Sequence, residues 1–439
     1  MNAVVIAVAV MLLLSLVRVH VVIALIIATL IGGLLGGLSI HTTIEAFNTG
    51  LGDGAPVALS YALLGAFAVA ISKSGIANLL ADKLLGAIGS RSSQGQQSLK
   101  WLLLATLLIM ALCSQNLLPI HIAFIPLVVP PLLLVFQKLN LDRRAIACVI
   151  TFGLVTPYML LPVGFGAIYL NNILLPNVAN SGGHIEQVNV SYAMALPAVG
   201  MVIGLLIAVL FSYRKPRHYD ASKVAKAEHT ETKPTPKAIA IAAFAVIIAF
   251  VVQLLSDSMV LGALIGFVIF SVSGVVRWKE ADDLFTDGMK MMASVGFIMI
   301  AASGFAAVMR ETGEINSLVN SVAASIDGSQ ALGALLILFV GLVVTMGVGS
   351  SFSTVPIVAA IFVPLALQLG FSDLAIVSLV GTAGALGDAG SPASDSTLGP
   401  TAGLNVDGQH SHIWDTVVPT FLHYNIPLLV FGWIAAMVL

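Results

Sequence analysis

Asp388 and Asp395 stand seven residues apart in the stretch Gly387-Asp388-Ala389-Gly390-Ser391-Pro392-Ala393-Ser394-Asp395-Ser396-Thr397, which interrupts an apolar part of the chain. Ionised carboxylates at membrane depth are costly and by default mark function. Ser391, Ser394 and Thr397 surround the pair with hydroxyls, and oxygen donors without sulfur or imidazole suit a hard cation such as Na+. The expected sodium site combines Asp388, Ser350, Ser391 and Asp395. A buried carboxylate also takes up protons more readily than an exposed one, so one such group could serve Na+ or H+ in turn.

Three further places break an apolar run with small and polar residues and carry no basic group nearby. They are Ser114-Gln115-Asn116, Thr156-Pro157, and the tip Ser350-Ser351-Phe352-Ser353-Thr354. A broken helix frees backbone N–H and C=O groups that hydrocarbon cannot solvate, so it persists only where protein, water or a ligand satisfies them. Runs 101–135 and 331–369 each fold at one of these uncharged tips, which predicts re-entrant hairpins. The arm that leaves a tip points its positive helix end there, with Ser or Thr to cap it. His121, His423 and Asn425 are secondary candidates, while replacing Asp407, in the polar segment beyond, by Asn should do little to transport. The first-half positions matching the two aspartates, near Gly153 and Leu160, are apolar, so one half is expected to hold the ionisable centre.

The elements that position these residues must be membrane helices. Of 439 residues, 58% are hydrophobic and 9% charged, with a mean hydropathy of +1.03, where soluble domains are about 25% charged. The formal net charge of -2 leaves no basic field for a nucleic acid, and the two cysteines, both in apolar stretches, offer neither a disulfide framework nor a thiolate metal site. The length allows roughly ten spans. The apolar start lacks a basic region before it and a cleavage pattern after it, and so reads as a span.

The chain is organised as a first transmembrane repeat over 1–212, a charged linker over 213–237 and a second, inverted repeat over 238–439. A shift of 238 residues pairs Gly36 with Gly274, Phe47 with Phe285, Gly50 with Gly288, Phe67 with Phe305 and Pro126 with Pro364. If each half makes an odd number of crossings, Lys and Arg divide 18 against 1, with Arg310 alone on its side. By the preference of cations for cytoplasmic loops, the linker is inside and both termini are extracytoplasmic. Loop 388–416 lies on the cytoplasmic side without any Lys or Arg.

The Gly387–Thr397 stretch and the Ser350–Thr354 tip, with the continuations STLGPTAGLN and TFLHYNIP, resemble the Na+/H+ antiporter family of the ion-transporter superfamily, in its NhaC-related, histidine-permease-like branch. The resemblance implies an all-α polytopic inner-membrane protein with two inverted-topology repeats, each with a re-entrant hairpin and a discontinuous helix. It also implies a homodimer and elevator-type motion. The function expected is secondary active transport by Na+/H+ exchange. The alternative is a Na+- or H+-coupled amino-acid permease, histidine being one solute in view. Ser114, Gln115 and Asn116 suit a polar solute at least as well as a bare ion. An intramembrane aspartyl enzyme fits poorly, because the two aspartates share one broken segment. No P-loop pattern occurs, so no cofactor is expected, only Na+ and H+ as transported or coupling ions. Membrane lipid and a small ion or polar solute are the expected partners.

Overall fold

The computed structural model describes residues 2–439 apart from 76–78, 80–85, 87–92, 117–124, 126–127, 221, 225–234, 257, 316, 319–327 and 349–350. Among the described residues every regular element is helical, and eight helices are long and apolar enough to cross a membrane. The chain is thus a multi-pass all-α membrane protein.

Helices α1 (Ala3–Leu16) and α2 (Val21–Leu35) pack as a pair. At 14 and 15 residues they are shorter than the roughly 20 residues of a full span and than the apolar runs that predict them. Arg18, at a φ of 69°, follows α1, and Gly36 and Gly37 close α2. Then come α3 (Ile40–Lys73), α4 (Ser93–Asn116), α5 (Arg143–Leu160) and, after a break at 161–164, α6, which runs through Phe165–Ala167, the π-helical Ile168–Leu174 and Leu175–Asn180. α7 (Ala195–Ile207) continues through a π-helical Ala208–Ser212. The second half continues with α8 (Pro236–Ser256), α9 (Met259–Val272), α10 (Ala281–Glu311), α11 (Gln330–Val348), α12 (Ser351–Gln368) and α13 (Asp373–Ala385). After its break follow α14 (Asp395–Leu404) and α15 (His412–Val438), which alternates π and α turns. Most of the amphipathic stretches 75–89 and 311–326, expected along the membrane interface, lies outside the described residues.

α3 and α10 cross antiparallel, and small residues let their backbones touch. A Cβ on Gly65 would collide with Gly288, and one on Gly50 would meet Ala307 and the Ser303 carbonyl. Ala58 faces Gly296 at the middle of the crossing, two positions that the 238-residue register makes equivalent.

α5 and α13 form the centre. Every residue from Ala145 to Met159 and from Ala375 to Ala385 is buried, as a helix apolar on all faces requires. Asp142 caps α5 by accepting from the Arg144 N–H at 2.9 Å. By contrast, few of the first 18 residues of α8 are buried, and the helix turns apolar side chains such as Phe244 and Ile247 outward.

Candidate functional site

The site grows from the end of α13. That helix starts on Ser372, whose hydroxyl accepts from the Ala375 N–H at 3.1 Å, and stops where Gly387 adopts a left-handed φ of 93°. A side chain here would be strained and would also press on Thr345 and Met346. The Gly387 N–H, freed by the break, donates to Asn425 Oδ1 at 3.2 Å from α15. The chain turns through Asp388–Gly390 and restarts at Asp395. Ser394 caps the new helix, its Oγ accepting from the Ser396 N–H at 3.1 Å.

The break carries Asp388 into the interior. Ser394 donates to its Oδ1 at 2.5 Å, and Tyr158 of α5 donates to its Oδ2 at 2.7 Å. The Tyr158 hydroxyl also lies 2.9 Å from Ser351 Oγ at the start of α12. Ser396 Oγ stands 3.5 Å from both Asp388 oxygens and from Asp395 Oδ1, bridging the two carboxylates. Tyr61 of α3 is buried and its hydroxyl neighbours Asp395. Four parts of the fold therefore meet at the carboxylates: α3, α5, the tip of α12 and the broken segment. Among the described residues no Lys, Arg or His forms an ion pair with Asp388.

The other expected site residues divide into several groups. Ser391 Oγ accepts from the Ala393 N–H at 3.1 Å, and Thr397 donates to the Ser391 and Ser394 carbonyls at 2.6 and 2.9 Å. Both residues thus brace the turn. Thr354 accepts from Thr345 at 3.1 Å behind the α12 tip. Ser114 turns back onto the Ala111 carbonyl at 2.9 Å. Thr156 is buried with no hydrogen-bond partner for its hydroxyl, and Pro157 lies inside α5. Asn425 joins the broken segment, with its Nδ2 unpartnered beside Gly390. His423 does not, because its ring bonds to Ser212 Oγ at 2.8 Å and to the Pro419 carbonyl at 2.7 Å, tying α15 to α7. Ser350 and His121 lie outside the described residues, as do the side chains of Gln115, Asn116 and Ser353.

Tyr158, Tyr61 and Thr345 escape the sequence reading, since hydroxyls scattered in apolar runs give no pattern. Tyr158 sits one residue past the flagged Thr156-Pro157, and Ser396 inside the flagged stretch, so proximity was the available signal. Asp407, expected to matter little for transport, holds the buried Arg143 guanidinium with two hydrogen bonds of 2.7 and 2.6 Å, and Arg143 also donates to the Leu404 carbonyl at 3.0 Å. Burial pushes the Asp407 carboxyl up, but Arg143 and Gln409 outweigh it and hold the group below the usual carboxylate range. The cation-free loop 388–416 is thus balanced by neighbours: Arg143 answers Asp407 and linker residue Arg217 answers Asp415 at 2.5 Å. Tyr219 stacks on Arg143, 4.2 Å from guanidinium to ring centre, and strengthens the bond between linker and α5.

Residues 149–433 match the family model described as the Na+/H+ antiporter family. The chain belongs to the Na+/H+ antiporter family. Residues 2–88 match a second model of a Na+-H+ antiporter family. A membrane protein of Vibrio parahaemolyticus is 58% identical, with all of both chains covered. A Bacillus subtilis protein named "Putative amino acid transporter YuiF" is 52% identical, again over all of both chains. Among solved structures, Neisseria gonorrhoeae MtrF, described with a class of antimetabolite efflux pumps, superposes with a TM-score of 0.42 at 14% identity, covering 90% of this chain and 84% of its own. Family membership makes this chain a secondary transporter.

Proposed function

We propose that this transporter exchanges Na+ and H+ by alternating access, with Asp388 taking either ion. One observation carries the reading: a buried carboxylate held by the hydroxyls of Ser394, Tyr158 and Ser396, with no cationic partner among the described residues. Leaving a charge so placed uncompensated is costly, and a bound Na+ or proton removes the cost. Asp395, bridged by Ser396, would share the ion, with Ser351 and Ser391 as further oxygens of the same region; Ser350, expected as a ligand, lies outside the described residues. Antiparallel packing of α3 on α10 about equivalent positions supports two inverted repeats. Location in the inner membrane, a cytoplasmic linker with both termini outside, a homodimer and elevator motion follow from the family reading and the charge split.

The second reading is amino-acid transport coupled to the same ion, favoured by the name of the Bacillus subtilis relative. In it Ser114, Gln115 and Asn116 supply a polar surface for the solute. The decisive assay is flux in proteoliposomes with Na+, H+ and amino acids varied separately. Exchange predicts proton movement driven by Na+ alone, unchanged in Asn116→Ala. Saturable, ion-dependent amino-acid uptake that is lost in Asn116→Ala replaces exchange with the permease.

A further inference from the structure

A polar cleft of about 420 Å³ opens on the linker side. Gln96, Gln97 and Lys100 reach it from the first turns of α4, and Arg214 from the chain that leaves α7. Lys138 and Asn140 reach it from the end of the short helix Leu133–Lys138 and the turn that leads into α5. Among the described residues, three cations from three elements thus line one cleft, and no carboxylate does.

The neighbouring cations are treated differently. Arg143, Arg144 and Arg217 are each answered by an aspartate. Lys100, Lys138 and Arg214 have no ion-pair partner among the described residues, and Lys100 and Arg214 stand near enough to repel one another. Like charges gathered without a counter-charge raise the energy of the fold. An anion in the cleft removes that cost, and the side-chain amides of Gln96, Gln97 and Asn140 add N–H donors for its oxygens.

The depth of the cleft selects the kind of anion. Three apolar spans, Gly95–Ser114, Arg143–Leu160 and Ala195–Ser212, have one end here: Gln96 opens the first, Asn140 just precedes the second and Arg214 just follows the third. The cleft therefore lies at the edge of the hydrocarbon, at the level of phospholipid headgroups. Beside its cations in the chain, Trp101 and Leu102 of α4 and Phe211 at the end of α7 are exposed, Phe211 at 74%. Tryptophan is enriched at this level of a membrane, and apolar surface turned outward there suits acyl chains. A soluble anion would use the cations and leave these side chains idle.

We propose that the cleft holds the phosphate headgroup of an anionic phospholipid from the linker-side leaflet, with Lys100, Lys138 and Arg214 as its charge partners. Such a lipid would pin the start of α4 to the first residues of the linker. The site is independent of which ion or solute the protein carries.

The test is thermal unfolding of the detergent-purified full chain, titrated with phosphatidylglycerol, with phosphatidylcholine or with inorganic phosphate. Phosphatidylglycerol should raise the unfolding temperature in a saturable way that weakens as salt rises, and the other two should not. The triple variant Lys100→Gln, Lys138→Gln, Arg214→Gln should bind phosphatidylglycerol about a hundredfold more weakly, roughly fivefold for each basic residue near an anionic headgroup. A second triple variant, Lys215→Gln, Lys223→Gln, Lys279→Gln, removes the same charge from the linker side outside the cleft and should bind like the parent. Should the first triple variant fail to fold, the single changes Lys138→Gln and Arg214→Gln, both at exposed side chains, decide the matter with a loss of about fivefold each. The site is overturned if phosphatidylglycerol does not shift the parent, if the cleft variants bind it as the parent does, or if the second triple variant loses as much as the first. An equal shift by inorganic phosphate makes this a soluble-anion site and overturns the lipid assignment.

Discussion

α5 and α13 are each followed by a break, and the two breaks differ in how they are held. After α5 the chain passes through 161–164, all exposed, with Leu161 and Val163 at 46% and 51%. Its bonds are local: Leu161 N–H to the Pro157 carbonyl at 2.8 Å and Gly166 N–H to the Val163 carbonyl at 3.1 Å. After α13 the chain from Leu386 to Ser394 is buried throughout. There Asn425 takes the Gly387 N–H and His412 takes the Pro392 carbonyl at 2.8 Å, both from α15. One break is stabilised by its own residues, the other by its own residues and by distant elements as well. A carboxylate is worth placing only in the second, where the surroundings fix its hydrogen bonds and exclude water.

Replacing the carboxylate tests this contrast most severely. Asp388→Asn keeps the shape but cannot ionise, and should lower coupled transport by about a thousandfold, the effect of ~4 kcal/mol on a buried charged ligand. Asp395→Asn, at a half-buried position, should cost less but still abolish ion dependence. The protein should remain inserted and folded, as judged by yield and by a single symmetric elution peak. Unchanged ion and pH dependence in both variants would place the second break on the same footing as the first.

The next effect concerns stability. Asp407 and Arg143 clamp the far end of α14 to α5, so Asp407→Ala leaves a buried guanidinium unpaired, at a cost of about 3–5 kcal/mol. Because Arg143 holds the Asp407 carboxyl below its ordinary range, the stabilisation is present above the unfolded-state pKa and fades as pH falls through the folded-state value. Thermal unfolding at neutral pH should therefore separate parent and variant widely. The gap should close on acidification below the usual carboxylate range. A gap that stays constant with pH contradicts the assignment.

A smaller change is expected for Tyr158→Phe, which removes one hydrogen bond to Asp388 and one to Ser351 while keeping the ring packed at 5.0 Å against Tyr169. A hydrogen bond to a charged group contributes about 1.5–3 kcal/mol, so the half-saturating cation concentration should shift at least tenfold, measured by initial rates. Smallest of all, Gly164→Ala strains a φ of 57° in the exposed break and should cost roughly 1 kcal/mol in stability. The ratio of ions exchanged should not move. A change in that ratio would give the first break a part in coupling.

The legible part of this protein is what the membrane dictates locally. Hydrocarbon cannot solvate free polar groups, so apolar runs announced helices, and the flagged interruptions at 387–397 and 350–354 marked breaks or helix starts. The 13-residue length of α13, too short to span, was visible as an apolar run ending at Leu386. Asp388 stood out because a carboxylate within such a run needs a reason. Its distant donor did not stand out: Tyr158 is separated from it by 230 residues, and a tyrosine in an apolar span looks the same whether it packs or donates. The partner of Asp407 was hidden for a related cause, since its cation lies 264 residues away, so no local pattern could show the charge as answered. Local composition determined where the backbone had to break; only the packing of distant helices decided which break would be buried, which hydroxyls would face the carboxylate and which charges would be left without a partner.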